Sequence, residues 1–318
     1  MTAWTTSDIP DQTGRTAIVT GANSGLGLVT ATELARHGAD VVLAVRNTTT
    51  GEEAAAAIGS VAPHSRVTVR ALDLASLDSV REFSARTADE HEHIDLLVNN
   101  AGVVILGPRH TTADGFELHL GTNHLGHYAL TGLLLPLLER GSTPRIVTLS
   151  SLSHKTAHLD LDDLMLERTW DASAAYGASK LANTMFGIEL DRRLRSAGSP
   201  IMSLLAHPGI SRSNLTPRAW ADRGPVGRLT ASLFLALMTQ PTAQGALPQL
   251  HAATAPGVQG GQFFGPAGRN ERRGEVAEVQ ASADSHDVAD GRRLWEASAA
   301  LTGVTYLQGP PPGRRFAG

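Results

Sequence analysis

Between Arg15 and His37 the chain runs through an apolar stretch, a glycine-rich turn and a helical pattern. This order constrains the fold more than any other feature of the sequence. Arg15–Thr20 (RTAIVT) reads as a short buried strand. Gly21-Ala22-Asn23-Ser24-Gly25-Leu26-Gly27 is the turn, and Leu28 to His37 has helical periodicity. Strand, glycine turn and helix together offer an anion the free N–H groups and positive dipole of a helix start, with glycines letting the backbone approach closely. The spacing is G-x-x-x-G-x-G rather than the G-x-G-x-x-G of ordinary dinucleotide folds. The plainer reading is a tight strand-to-helix turn with no ligand.

The same alternation continues. Apolar runs at Asp40–Val45, Ile94–Val98, Arg145–Ser150, Ile201–Ala206 and Gln262–Phe264, and an alternating run at Arg66–Ala71, are separated by helical patterns. Strands alternating with helices give a parallel sheet covered on both faces. The expectation is one α/β domain with a doubly wound sheet of about seven strands. A long helix is expected from about Ala113 to Glu139, and Trp295 falls on a late helix. No internal repeat and no linker divides the chain. Residues 1–13 read as an N-terminal arm, 14–307 as the domain and 308–318 (QGPPPGRRFAG) as a flexible tail.

Composition removes several functions. The net charge of −4 and pI near 6.3 show no basic surplus, so nucleic acid is not the expected partner. Without cysteine, disulfides, thiolate catalysis and cysteine zinc sites are excluded. His124 and His127 share a helix and His154 and His158 a loop, but no pattern supplies three convergent metal ligands, so no metal is expected. Met1–Gly14 lacks the basic start and apolar run of a signal peptide, and Leu229–Met238 is too short to span a bilayer. A cytoplasmic, soluble protein is the expectation.

Residues at the strand ends carry the chemistry, because ligands of open α/β sheets gather there. Arg46 ends the second strand, where an acid would bond a ribose 2′-hydroxyl and an arginine accommodates a 2′-phosphate; NADP is therefore expected over NAD. Asp73, just past the third strand, either accepts from an adenine amino group or caps the helix opening near Ser76. Asn99-Asn100-Ala101-Gly102 marks a sharp turn after the fourth strand. Asn123 lies within a helical pattern, where asparagine competes for backbone hydrogen bonds, so a kink or bound water is expected. Ser151 follows the fifth strand, as a turn serine, a helix cap or a ligand-site residue.

Tyr176 and Lys180 are four residues apart, which on a helix places them on one face a turn apart. Only two of the 27 basic residues are lysines, and only three tyrosines occur. An ammonium beside a phenol favours phenolate, so the tyrosine pKa is expected to fall from about 10 towards neutrality. A phenol tuned in this way exchanges a proton with an alcohol or carbonyl oxygen.

Thr20 to Gly27, Asn99 to Gly102, Asn123, Ser151, Tyr176-x-x-x-Lys180 and Pro208-Gly209 occur in the order of the short-chain dehydrogenase/reductase family, which the chain resembles from roughly Gly14 to Phe264. Within that family, Val41 to Asn47, Thr122-Asn123-His124-Leu125-Gly126-His127, Tyr176 to Asn183 and His207-Pro208-Gly209 leading to Arg212-Ser213 are similar to the retinol-dehydrogenase-like branch. The spacer from Ser151 to Tyr176 is roughly twice the ordinary length, and an insertion such as His158 to Trp170 also resembles that branch.

The resemblance implies a Rossmann-type three-layer sandwich and an enzyme that interconverts a hydroxyl and a carbonyl. NADP(H) is implied to lie with its pyrophosphate at Gly21, Asn23, Ser24, Gly25, Leu26 and Gly27, and its 2′-phosphate at Arg46. Asp73 and Leu74 are implied at adenine, Asn100, Ala101 and Gly102 at the adenosine ribose, and Pro208, Gly209, Ile210 and Ser213 at the nicotinamide end. Ser151 is implied to bond the substrate oxygen, Tyr176 to transfer the proton, Lys180 to bind the nicotinamide ribose, and Asn123 to hold a relay water. The cofactor carries the hydride.

A substrate lid is expected at about 211–240, where Leu215, Trp220, Leu229, Leu233, Phe234, Leu235 and Met238 suggest a hydrophobic alcohol or carbonyl, or else core or interface packing. Homo-oligomers are common in the family. Two other functions fit the same fold: a non-catalytic cofactor-binding sensor or scaffold, and an enzyme of double-bond reduction or epimerisation. Retention of Asn123, Ser151, Tyr176 and Lys180 disfavours the first.

Overall fold

The computed structural model describes residues 3–210 and 240–308. Eight strands form one sheet in the order β3-β2-β1-β4-β5-β6-β7-β8. They are β1 (Thr16–Thr20), β2 (Asp40–Val45), β3 (Val67–Ala71), β4 (Leu96–Asn99), β5 (Arg145–Leu149), β6 (Met202–Ala206), β7 (Phe263–Pro266) and β8 (Val276–Glu278). The first seven run parallel, and β8 pairs antiparallel with β7. The sequence pattern missed β8, because a strand of three residues carries too little alternation to register.

Strand residues alternate between the two faces, as a period of two requires. Val19, Leu43, Val98, Val147 and Leu204 pack on one side with α1 (Gly25–Arg36), α2 (Thr48–Val61) and α6 (Thr242–Thr254). Ile18, Val42, Leu97 and Ile146 pack on the other with α3 (Leu77–Glu90), α4 (Gly126–Leu138), α5 (Ala172–Ser196) and α7 (Val288–Thr302). Trp295 lies on α7, against Tyr128, Phe186 and Tyr306. The strand order reverses between β1 and β4, and such a switch point opens a crevice at the carboxyl ends of the strands.

The helix expected from about Ala113 begins later. Thr111 bridges Glu117, and Gly115 takes a positive φ of 84°, so this stretch is a tight turn. A π-helical segment, Leu120–Leu125, follows and leads into α4. Asn123 sits in this widened turn, consistent with the kink expected from its poor helical fit. The lid region, the apolar window Leu229–Met238, Ser213 and nearly all of the tail lie outside the described residues.

Candidate active site

The crevice is a continuous groove. One part, about 250 Å³, is lined by the glycine turn, Asn100, Tyr176, Lys180 and Pro208. A second, about 210 Å³, is lined by Arg46, Asp73, Leu74 and Thr122. Gly21, Asn23, Ala101 and Gly102 line both. The groove thus brings together Ser24, Gly25, Leu26 and Gly27 with the residues expected at either end. Gly209 and Ile210 lie just beyond Pro208, and Asn123 stands behind Gly102.

Local chemistry explains this geometry. A Cβ at Gly27 would lie 2.5 Å from both the Gly21 carbonyl oxygen and the Asn100 amide nitrogen, so only glycine lets α1 start so near β1. Asn100 donates to the Thr20 carbonyl at 2.7 Å, fixing the turn after β4 onto the end of β1. Asn23 donates to Thr50 at 2.9 Å, tying the glycine turn to α2. Asp73 accepts from Ala75 N–H at 2.9 Å, while Ser76 is the cap of α3; the carboxylate therefore braces the turn before the helix rather than capping the helix itself.

Tyr176 and Lys180 occupy the first turns of α5, which Asp171 caps by accepting from Ala174 N–H at 2.7 Å. Both side chains face the groove. The Ser151 hydroxyl lies close enough to the phenol to lower its pKa. Asn123 accepts from Val103 N–H at 2.7 Å and donates to Ser179 at 2.9 Å, locking the π turn to α5. Burial pulls the Lys180 ammonium down to about 8, and it donates to the Leu149 carbonyl at 3.2 Å. The expected fall of the Tyr176 pKa is corrected: burial raises the phenol above its ordinary value, and the Ser151 hydroxyl, not the ammonium, opposes part of that rise. The reason is desolvation of an almost enclosed phenol.

Several residues here escaped the sequence. His127 Nδ1 bonds the Asn123 carbonyl at 2.9 Å. Gln249 of α6 reaches the Leu26 carbonyl and the Asn100 side chain, each at 3.4 Å. His119, buried, places its ring edge-on to Tyr176 at 6.2 Å and stacks with Trp170 at 6.1 Å. Its Nε2 accepts from Ile105 N–H at 3.0 Å and its Nδ1 donates to Glu117 at 2.9 Å. Trp170 donates to the Gly107 carbonyl at 2.9 Å, so the long spacer before α5 packs on the loop after β4. The sequence signal was slight: buried histidines inside apolar helical stretches.

The groove suits a dinucleotide. Gly25 has a φ of +57° with open space where a side chain would stand, and Ser24 at the start of α1 makes no side-chain cap bond. The first-turn N–H groups of α1 are thereby left to face an anion. Arg46 is exposed at the far end.

Comparison with known proteins agrees with this geometry. Residues 15–224 match the model of the short chain dehydrogenase family. The chain belongs to that family, and within it is retinol-dehydrogenase-like. It is 40% identical to human retinol dehydrogenase 13 over 92% of this chain and 85% of that protein. It is likewise 40% identical to mouse retinol dehydrogenase 11, over 92% and 87%. An uncharacterised protein from Mycobacterium paratuberculosis, solved by crystallography, superposes with a TM-score of 0.79 at 41% identity, over 96% of this chain and 99% of that one. The complex of Pseudomonas aeruginosa RhlG with NADP shares the fold at 24% identity, with a TM-score of 0.62 over 79% and 94%. The chain is an oxidoreductase of the alcohol/carbonyl class that uses a nicotinamide dinucleotide. Among the described residues no helix is long and apolar enough to cross a membrane.

Proposed function

We infer that this protein interconverts a hydroxyl and a carbonyl on an apolar small molecule with NADP(H), Tyr176 being the proton donor and acceptor. The observation that carries the reading is one groove with Arg46 at one end and Tyr176, beside Ser151 and one turn from Lys180, at the other. NADP(H) supplies the hydride. Arg46 supports the phosphorylated form, since the residues that follow β2 are Arg46 and Asn47 and not an acid placed to accept from a 2′-hydroxyl. In the reducing direction Tyr176 gives its proton to the substrate oxygen, which Ser151 also holds; in the oxidising direction it takes the proton back. Lys180 lies beside Gly102, positioned for a ribose hydroxyl. Asn123, packed against the same Gly102, holds the π turn in register with α5 and is the proposed anchor of a proton-relay water. The His119–Trp170 stack beside Tyr176 and the names of the relatives support an apolar substrate. Residues 14–307 form the domain in this reading.

The test follows NADPH absorbance against a panel of aliphatic, aromatic and polyketide-like carbonyls, for the wild type and Tyr176→Phe. Turnover on an apolar carbonyl that disappears in the variant, with NADPH binding retained, is expected. Turnover that survives in Tyr176→Phe overturns the assignment of the proton donor.

A further inference from the structure

The hairpin between β7 and β8 carries two consecutive left-handed residues that are not glycine, Asn270 at φ 55° and Glu271 at φ 53°. Side chains avoid this region, and where they persist in it the surroundings hold them. Here the surroundings are bonds to the active site. Glu271 Oε2 accepts from Nε2 of His207 at 2.9 Å. His207 is fully buried at the end of β6, and its Nδ1 accepts from Gly209 N–H at 3.2 Å, so the ring proton is on Nε2 and points at the carboxylate. The other oxygen, Oε1, pairs with Lys155. Lys155 ends the 3₁₀ turn Leu152–Lys155 that Ser151 opens, its hydroxyl accepting from Ser153 N–H at 3.2 Å. The same hairpin accepts Ile210 N–H on the Arg272 carbonyl at 2.8 Å.

The geometry points to Glu271 as a positioning residue: a two-armed carboxylate that sets the Ser151 turn against the His207–Ile210 loop, and so spaces the catalytic serine from the nicotinamide end of the groove. The segments also meet where Ser150 N–H donates to the Ala206 carbonyl at 2.9 Å and where the His154 and His207 rings lie 6.5 Å apart; the carboxylate adds a charged partner common to both. Bonds from His207 and Lys155, opposed by partial burial, hold its pKa down to about 2, so it stays charged throughout the physiological range. The role rests on the oxidoreductase reading above.

The experiment combines hydrogen–deuterium exchange by mass spectrometry with kinetics, on Glu271→Ala, Glu271→Gln and Lys155→Met. Glu271→Ala is expected to raise exchange in 151–155 and 207–210 together, leaving 21–27 unchanged. Glu271→Gln keeps an acceptor for His207, and Lys155→Met leaves that arm intact, so each is expected to loosen 151–155 alone. Turnover in Glu271→Ala is expected to fall about 10- to 100-fold, the scale of a small misplacement of reacting groups. The dissociation constant for adenosine 2′,5′-bisphosphate, which lacks nicotinamide, should stay within about twofold. Exchange that rises only within 267–275, or turnover unchanged in Glu271→Ala, overturns the clamp. A wild type without turnover on any carbonyl sinks the reaction proposed above, and the exchange pattern then decides the clamp by itself.

Discussion

The Thr20 hydroxyl and His127 Nε2 meet at 2.9 Å in a buried contact, with the Val98 carbonyl 3.3 Å from the same hydroxyl as a second, longer acceptor. His127 Nδ1 faces the Asn123 carbonyl, an acceptor only, so Nδ1 carries the ring proton and Nε2 accepts from the threonine. The threonine oxygen in turn accepts from the N–H groups of Asn100 and Ala101, each at 2.9 Å. One hydroxyl therefore joins the end of β1, the turn after β4 and the π turn of Asn123. Thr20→Val takes the acceptor from Ala101 N–H, while Asn100 N–H keeps the Val98 carbonyl at 2.9 Å; one backbone N–H left unpaired costs about 1–3 kcal/mol. A lower denaturant midpoint and weaker NADPH binding are expected, with Thr20→Ser restoring both. Calorimetry and cofactor titration read the outcome; an unchanged Thr20→Val shows that the junction does not depend on this hydroxyl.

Burial lowers three histidines far below their ordinary 6.5: His124 to about 3, His127 to about 4 and His154 to about 4. As pH falls below 6.5 the unfolded chain binds protons at these positions while the folded chain does not, so folding stability falls with falling pH in that window. Glu271, held at about 2 against an ordinary 4.5, adds its own loss only below 4.5. Urea midpoints measured from neutral pH down to about pH 5 should decline steadily, by on the order of 1 kcal/mol or more per histidine. His124→Asn should flatten part of that slope. A flat profile in the wild type would mean that these rings titrate freely in the fold.

Ser151 is the side chain whose hydroxyl lowers the Tyr176 pKa against burial. Ser151→Ala removes that hydroxyl, and with it a donor to the substrate oxygen. Loss of one such donor costs on the order of 100-fold in turnover. The kcat of carbonyl reduction should fall by that order while NADPH affinity holds. Equal losses in kcat and in cofactor affinity would make the serine a structural cap of its 3₁₀ turn.

The fold was legible where periodicity is long enough to count. Ala17–Val19 and Val41–Val45 are unbroken apolar runs visible in the sequence itself, as a strand needs when its alternate side chains enter two different cores. The groove residues were legible because glycines, asparagines and a tyrosine–lysine pair are set by local geometry. Partners distant in sequence were not. Gln249 reaches Asn100 across 149 positions, and His207 reaches Glu271 across 64, so neither leaves a local mark. The Tyr176 pKa was misjudged for a related reason: helical spacing reports the neighbouring ammonium, but desolvation depends on everything packed around the phenol.

Arg46 stands exposed at the end of β2, beside Asn47 and Asp73 in the groove wall. A guanidinium there meets a 2′-phosphate with charge-assisted hydrogen bonds, each worth about 1.5–3 kcal/mol, and offers a plain 2′-hydroxyl little. Arg46→Ala should therefore weaken NADPH by about 10- to 100-fold while NADH changes little. Arg46→Asp goes further, because a carboxylate accepts from the 2′-hydroxyl and repels the phosphate, so preference should pass to NADH. Fluorescence titration with both cofactors on the wild type and the two variants measures this directly. Parallel losses for the two cofactors would place the 2′-phosphate elsewhere, and with it the proposed direction of the dinucleotide along the groove.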